Sequence, residues 1–240
     1  MTFLSVNINK IALIRNARGA NYPDLAEAAL NIERFGAHGI TVHPRPDQRH
    51  VTYKDVEILK PILKTEFNVE GYPSLEFLEL VCRVKPHQVT LVPDAPEALT
   101  SNAGWNTTIH KSMLKDVVSE LHAHGIRVSL FMDTDISQYE SAVEIGTDRI
   151  ELYTENYAVH YHNNKIAAVA PYREAAIRAH SLGLGINAGH DLTSQNLRYF
   201  AQQVPHLLEV SIGHALISEA LYLGLENTVQ LYLRQINDII

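Results

Sequence analysis

The sequence predicts an α/β protein, a single (β/α)8 TIM barrel with extra helices that spans residues 1–240. Eight short β-rich runs recur along the chain, with helical patterns between them. A junction of helix, glycine, two or three residues and strand appears as FGAHGITV, HAHGIRVSLF, EIGTDRIELY and SLGLGINAG. Such repeated β–α units indicate a parallel sheet. Eight units in 240 residues fit a closed barrel, whose typical length is ~250 residues.

The predicted strands are nearly continuous apolar runs, as expected where parallel strands are buried on both faces. They are predicted at residues 3–9, 39–43, 67–71, 88–92, 127–133, 149–153, 184–188 and 209–212. An open doubly wound sheet is the alternative that the same alternation of elements allows. The sequence contains no recognisable interdomain linker and no low-complexity segment.

The predicted helices have identifiable starts and interruptions. One begins at Pro23, a residue suited to the first turn. Another opens with Thr52 and has Asp55 three positions later, which is a capping-box pattern. Pro61 should kink or shorten that helix. Further helices are predicted from about residue 108, after residue 135, from 157 to 182 with a break at Pro171, and from 217 to 240 with one glycine interruption.

Composition and charge exclude several classes of protein. Apolar residues make up 46% of the chain and charged residues 20%, which is ordinary for a soluble globular protein. The net charge of −7 argues against nucleic acid as the main partner. No signal peptide is recognisable, and no apolar run approaches the ~20 residues of a membrane span. We therefore expect a cytoplasmic protein, with its one cysteine, Cys82, as a buried thiol.

Polar and titratable residues collect where the predicted strands end, which is the working face of a (β/α)8 barrel. Glu70 and Glu151 are expected to point into one cavity, where paired carboxylates suit proton transfer and stabilisation of a cationic intermediate. The alternative for Glu70 is a carboxylate held by a nearby arginine. The strand ends deliver Asn7, Asn9, His43, Glu70, Asp133, Glu151, Asn187 with His190, and Gly213 with His214.

Several segments on this face suit an anionic ligand. The glycine-containing turns INAGHDL and SIGHALIS follow the last two predicted strands, where barrels often bind phosphate on backbone N–H groups. Arg18, Arg45 and Arg49 add cations in neighbouring loops. The long polar segment 92–107 contains Thr100 and the single tryptophan, Trp105, and is predicted to be a lid.

The ordered set of motifs resembles the pyridoxine 5′-phosphate synthase family over essentially the whole chain. The motifs are VNINKIALIRNARG, GITVHPRPDQRH, NVE, LVP, NAGHDL and IGHALI. The resemblance implies a (β/α)8 barrel that assembles as a homo-octamer and needs no metal or organic cofactor. It also implies condensation of 3-amino-2-oxopropyl phosphate with 1-deoxy-D-xylulose 5-phosphate, which yields pyridoxine 5′-phosphate, inorganic phosphate and water.

The same resemblance implies roles for individual residues. His43 and Glu70 would accept protons, His190 would donate one, and Glu151 would stabilise the transition state. Asn7, Gly213 and His214 would hold the aminoketone phosphate, and the pentulose phosphate would be held by Arg18, Arg45, His50 and Thr100.

Two positions depart from the family pattern. Asn9-Lys10 replaces a common Asp-His pair, which removes an acid but leaves a cation for a phosphate. Asp191 replaces a common glycine, and its carboxylate is unfavourable beside a phosphate unless it points elsewhere.

Two rival functions are open at the level of the sequence. One is a metal-dependent barrel hydrolase with His43, His190, His214 and Glu151 as ligands. The chain lacks the tight ligand spacing that such sites usually show. The other is a non-catalytic barrel that senses a phosphorylated ligand, which the departures at Lys10 and Asp191 would allow.

Overall fold

Eight parallel strands form a closed barrel in which each strand pairs with its neighbours in chain order and β8 pairs with β1. The computed structural model describes residues 1–93 and 103–237. The strands are β1 Phe3–Asn7, β2 Gly39–Val42, β3 Glu66–Gly71, β4 Gln88–Leu91, β5 Arg127–Met132, β6 Arg149–Tyr153, β7 Gly185–Gly189 and β8 Leu207–Ile212. The predicted TIM barrel is therefore confirmed, and the open doubly wound sheet is wrong.

The helices follow the strands, with additional helices at both ends of the chain. They are α1 Asn9–Asn16, α2 Leu25–Arg34, α3 Tyr53–Leu59, α4 Leu75–Val84, α5 Lys111–Ala123, α6 Tyr139–Ile145, α7 Glu155–Ser181, α8 Leu197–Gln203, α9 His214–Leu223 and α10 Leu225–Asn237. A short 3-10 helix, Ile136–Gln138, precedes α6. Within the described ranges, no helix combines the length and the apolar character that crossing a membrane would require.

Local sequence signals account for most helix boundaries. The capping box is present, since Thr52 and Asp55 satisfy each other's backbone N–H groups at the start of α3. That helix ends at Leu59, before Pro61, as predicted. The glycines of the four repeated junctions all have positive φ, as expected for residues that end helices; they are Gly36, Gly125, Gly146 and Gly183. The glycine interruption near the C-terminus is Gly224, between α9 and α10.

Two predicted helix features are wrong, the start of α2 and the position of the break in α7. Pro23 precedes α2 and does not occupy its first turn, because the side chain of Asp24 caps that helix by accepting the N–H groups of Ala26 and Glu27. In α7, the non-helical residue is Asn164 (φ −157°, ψ 88°), whereas Pro171 lies inside the helix. The Asn164 side chain accepts the N–H of Ala167 and so starts a new helical segment.

The first predicted strand is also too long. It ends at Asn7, and Asn9 begins α1 because the Asn7 side-chain oxygen accepts the N–H of Asn9 at 3.0 Å. Strands β2 and β5 each end one residue earlier than predicted, so His43 and Asp133 lie directly after them and are not their last residues. Cys82 lies on α4 and is only partly buried, which corrects the expectation of a fully buried thiol.

The two faces of the barrel differ in chemistry. Outward-facing strand residues such as Val6, Ile40 and Val69 are fully buried in the apolar layer against the helices. The inner face is polar, whereas the nearly continuous apolar runs of the sequence predict apolar residues on both faces. Hydrogen bonds link neighbouring strands from Ser5 to Thr41 (2.7 Å), from Asn68 to Thr41 (3.4 Å) and from Thr90 to Asn68 (3.1 Å). Every strand contributes at least one buried polar side chain, including Ser5, Thr41, Asn68, Thr90, Ser129, Glu151, Asn187 and Ser211.

A buried ion pair joins α1 to the start of α3. The guanidinium of Arg15 donates to both oxygens of Asp55, at 2.6 and 2.8 Å, and the side chains are only 10% and 12% exposed. Burial raises the pKa of Asp55, but hydrogen bonds from Arg15 and Thr52 outweigh it and hold that pKa below its usual value. The same carboxylate therefore caps α3 and fixes the loop that follows β2.

We expect Asp55→Asn to lower the free energy of unfolding by about 2–4 kcal/mol near neutral pH, because it leaves the Arg15 charge buried without its partner. Since the folded state depresses the pKa of Asp55, this stabilisation is present above the unfolded pKa and is lost as the pH falls through the folded value. Urea denaturation of both proteins at neutral and acidic pH measures the difference.

The control is Glu57→Gln, which removes the exposed pair between Glu57 and Arg83 on α3 and α4 (2.6 Å). It should cost less than about 1 kcal/mol. Equal losses in the two variants would contradict the structural role of the Asp55 pair.

Candidate active site

A cavity of about 430 Å³ opens at the C-terminal ends of the strands. Residues from both ends of the chain meet there, as the prediction of a barrel requires. It is lined by Asn7, Asn9, Lys10, His43, Arg45, His50, Glu70, Val92, Phe131, Glu151, His190, Asp191, Thr193, Ser211, Gly213, His214 and Ala215. Of the residues given catalytic or substrate-binding roles, all that the structure describes line this cavity except Arg18.

His43 and Glu70 form the first polar pair in this cavity. The Nδ1 atom of His43 lies 3.8 Å from Glu70 Oε2, and the Asn7 amide donates to the same oxygen at 3.4 Å. The backbone N–H of His43 donates to the side-chain oxygen of Asn9 at 3.0 Å. Asn9 therefore positions the chain at the end of β2, a role that the sequence did not indicate.

Both histidines on the β2 side of the cavity are held neutral. Burial, followed by the positive charge of Arg45, lowers the pKa of His43 well below 6.5. Burial and the charge of Arg49 lower the pKa of His50 to about 4. A neutral imidazole can accept a proton, so His43 has the state that a general base requires.

Glu151 is the most deeply buried acid of the cavity, with 3% of its surface exposed. Burial, followed by repulsion from Glu70, raises its pKa to about 8, so the carboxyl carries a proton at neutral pH. Thr90 lies within 3.4 Å of Glu151 Oε2. On the other side, a Cβ atom at Gly189 would come 2.6 Å from Glu151 Oε1, so only glycine leaves room for this carboxyl.

His190 lies on the exposed rim directly after β7, with an unusual φ of +91°. Its Nδ1 atom is 3.0 Å from Asp191 Oδ2. The ring packs edge-on against Tyr153 and Phe131, with centroid distances of 5.4 and 6.5 Å. The aromatic contacts and the adjacent carboxylate were not predicted, because both depend on how the chain turns at His190.

The start of α9 lines one side of the cavity. Gly213 precedes the helix, no side chain caps it, and the cavity reaches His214 and Ala215 in its first turn. A helix start of this kind presents backbone N–H groups that favour a phosphate. A Cβ atom at Gly213 would lie 3.0 Å from the Cβ of Asn7, so glycine lets β1 and β8 approach closely here. Lys10 and Arg45 contribute cations to the same cavity.

Some predicted positions lie elsewhere. Arg18 is exposed and does not line the cavity, and Thr100 lies outside the described residues, as does most of the predicted lid. Trp105 is 3% exposed and donates its indole N–H to the Leu91 carbonyl at 2.9 Å. It therefore belongs to the core at the edge of that segment. Asn187 is buried inside the barrel, where it accepts a hydrogen bond from Arg149.

The described part of the chain contains no cluster of side chains arranged to bind a metal ion. Within residues 1–93 and 103–237, no group of three or more His, Cys, Asp or Glu side chains could hold a metal ion. His43, His190, His214 and Glu151 line the same cavity, but they do not form such a group.

Comparison with known proteins identifies close relatives. The model of the family described as pyridoxal phosphate biosynthesis protein PdxJ matches residues 4–238. A pyridoxine 5′-phosphate synthase of Christiangramia forsetii is 61% identical over 98% of this chain and 99% of its own length. The enzyme of the same name from Porphyromonas gingivalis is 59% identical over the same shares of the two chains.

Solved structures with much lower identity share the fold alone. A 3-keto-L-gulonate-6-phosphate decarboxylase from Vibrio cholerae superimposes with a TM-score of 0.66 at 8% identity, over 100% of this chain and 99% of that one. A phosphoribosylanthranilate isomerase from Thermotoga maritima gives a TM-score of 0.62 at 14% identity, over 99% and 100% of the two chains.

We expect Glu151→Gln to weaken the pH dependence of stability. The pKa of Glu151 is higher in the folded state than in the unfolded state. Its proton therefore stabilises the folded protein at pH values below the unfolded pKa, and this stabilisation is lost as the pH rises through the folded value of about 8. Between about pH 6 and pH 9, the free energy of unfolding should fall about 2–3 kcal/mol more in the wild type than in the variant. Urea denaturation at the two pH values measures this.

The matched control is Glu174→Gln, which removes an exposed carboxyl on α7 and should parallel the wild type. If the wild type and Glu151→Gln lost equal stability over this interval, Glu151 would not be a protonated, buried acid.

Proposed function

The chain belongs to the pyridoxal phosphate biosynthesis protein PdxJ family, and we propose that its cavity is the active site of a pyridoxine 5′-phosphate synthase. The reaction condenses 3-amino-2-oxopropyl phosphate with 1-deoxy-D-xylulose 5-phosphate and releases pyridoxine 5′-phosphate, inorganic phosphate and water. The observation that carries this proposal is identity of about 60% to pyridoxine 5′-phosphate synthases over nearly the whole chain. The cavity supports it, because it combines cations, an uncapped helix start and groups that exchange protons.

Two anchors hold the substrates by their phosphates. Asn7, Gly213 and His214 bind the aminoketone phosphate at the start of α9, where backbone N–H groups face the cavity. Arg45 and His50 bind the pentulose phosphate on the β2 side, where Lys10 adds a cation. Fixing both substrates in reacting geometry can supply several of the roughly 7–11 kcal/mol available from proximity.

Arg18 and Thr100 complete the second anchor in this proposal. Arg18 is exposed on the loop after α1, beyond the residues that line the cavity, so it reaches the ligand only if that loop moves or the assembly brings it close. Thr100 belongs to the segment predicted to close over the bound substrates.

His43 and Glu70 are the proton acceptors. The aminoketone arrives as an ammonium ion, and its nitrogen attacks the ketone of the pentulose only after a base removes a proton. His43 is neutral and lies 3.8 Å from Glu70, so a proton taken by one group can be shared with the other. The Asn7 amide orients the Glu70 carboxylate for this exchange.

Glu151 and His190 act on the later intermediates. A Schiff base with positive charge would favour ionisation of the buried Glu151 carboxyl. Burial and the nearby Glu70 raise the pKa of this carboxyl to about 8, close to neutral pH. Glu151 thus stabilises the charge as it develops. His190, on the rim after β7, donates the proton that the leaving oxygen requires.

Reaction class, cofactor use, location, partners and assembly belong to the same proposal. The enzyme is a transferase that needs no metal or organic cofactor, and it works in the cytoplasm on small phosphorylated substrates, with neither nucleic acid nor a membrane as a partner. It assembles as a homo-octamer. Exposed apolar side chains such as Leu221 (72%) and Tyr222 (90%) at the end of α9 suit a subunit interface.

We expect Glu70→Gln to abolish product formation, with at least a ~100-fold loss in kcat, because the amide cannot accept a proton. The fold and the binding of each phosphorylated substrate should change little, since Gln keeps the shape of the side chain and can still contact Asn7. The measurement mixes both substrates with the protein and follows the pyridine chromophore, alongside calorimetric binding of each substrate.

Glu76→Gln is the control, because Glu76 is exposed on α4, six residues away in the chain. It should retain wild-type turnover. An active Glu70→Gln enzyme would remove Glu70 from the mechanism, and a wild-type protein that forms no product would refute the proposed function.

A further inference from the structure

His190 and Asp191 form a side-chain pair between consecutive residues at the rim of the cavity. The Nδ1 atom of His190 and the Oδ2 atom of Asp191 are 3.0 Å apart. In an extended strand, consecutive side chains point to opposite faces and do not meet. The φ of +91° at His190 turns the chain after β7 and brings the two side chains to the same side.

The backbone around this pair is anchored on both sides. The N–H of His190 donates to the Ser211 carbonyl at 3.4 Å, and the N–H of Asp191 donates to the Thr154 hydroxyl at 3.2 Å. That hydroxyl donates to the Gly189 carbonyl at 2.7 Å. An unusual φ at a residue other than glycine persists only where surrounding contacts fix it, and these bonds provide them.

We propose that Asp191 is a positioning residue that orients the imidazole of His190 and helps it to retain the proton it donates. This inference rests on the proposed function, in which His190 is the general acid. A carboxylate only accepts hydrogen bonds, so the pair assigns the hydrogen to Nδ1 and presents Nε2 as the nitrogen that delivers a proton. The negative charge also favours the imidazolium form.

The neighbouring groups Glu151, His43 and Tyr153 carry no charge at neutral pH, whereas Asp191 is a carboxylate in direct contact with the imidazole. Glu151 lies close enough to interact with His190, but it is neutral at pH 7 because burial raises its pKa to about 8. His43 is also neutral there. Burial raises the pKa of Tyr153 strongly, so its phenol carries no charge.

Two further carboxylates, Glu155 and Asp133, lie near Tyr153, and Glu155 accepts the phenol hydrogen at 2.9 Å. They interact with the tyrosine, whereas Asp191 contacts the imidazole itself. A glycine at position 191 would offer no such partner, so the pairing is specific to chains that carry a carboxylate there.

The test compares the pH profiles of kcat in the wild type and Asp191→Asn, measured by product formation. The amide keeps the size of the side chain and can accept the Nδ1 hydrogen, but it lacks the charge. The fall in kcat on the basic side should move to lower pH by about 0.5–1 unit, which is about a 3- to 10-fold lower kcat on that limb. KM should stay within about twofold.

Asp116→Asn is the control, because Asp116 is exposed on α5 and its replacement changes the net charge equally. Its profile should match the wild type. As a second measurement, an NMR titration of the His190 ring without substrate should show that Asp191→Asn loses the imidazolium at lower pH.

The outcomes separate this inference from the proposed function. Product formation with the same basic limb in wild type and Asp191→Asn would overturn the role of Asp191 alone, even if kcat fell uniformly. An equal shift in Asp116→Asn would also overturn it, because the effect would then reflect overall charge. A wild type that forms no product would instead overturn the proposed function.

Discussion

Closure of the barrel between β1 and β8 is the constraint on which the cavity depends. Parallel pairing sets Val6 beside Ile212, so the residues that follow each strand, near Asn7 and Gly213, meet at the same rim. Glycine favours the close approach of these two residues, because a Cβ atom at position 213 would lie only 3.0 Å from the Cβ of Asn7. An open sheet with the same elements would leave the start of α9 far from the groups that follow β2 and β3. Ring closure therefore creates the site, and the loops complete it.

The polar inner face of the barrel sets the electrostatics of that site. Each strand contributes a buried polar side chain, and a chain of hydrogen bonds runs from Ser5 to Thr90, which in turn lies near Glu151. A carboxyl in this environment has hydrogen-bond partners but little water, so burial and the nearby Glu70 favour its protonated form. An apolar interior would make such a carboxyl far more costly to bury. The interior polarity thus allows a protonated acid to be held close to Glu70.

The sequence predicted the barrel and the convergence of His43, Glu70, Glu151 and His190, because strand periodicity and strand ends are local patterns that topology converts into positions. The break in α7 lies at Asn164 and not at the predicted Pro171. A proline indicates a break from its residue type alone, whereas capping by Asn164 depends on where the folded chain needs the helix to turn. The pairing of His190 with Asp191 could not be predicted, since no local pattern indicates a φ of +91° at a histidine. Polar and apolar residues alternate along the strands, but the apolar residues dominate, so the sequence pattern predicts an apolar interior that the structure does not have.

Two histidines of the same cavity are suited to opposite roles because their surroundings differ. His43 is 7% exposed and lies near Arg45, and both conditions disfavour a second proton on its ring. The side chain of His190 is 37% exposed on the rim, and its Nδ1 atom lies 3.0 Å from a carboxylate oxygen of Asp191. Both follow a strand directly, so in the sequence only the resemblance to the pyridoxine 5′-phosphate synthase family distinguishes their roles. The proposed roles of base and acid therefore agree with the depth of each ring in the barrel, which is a property of the folded chain alone.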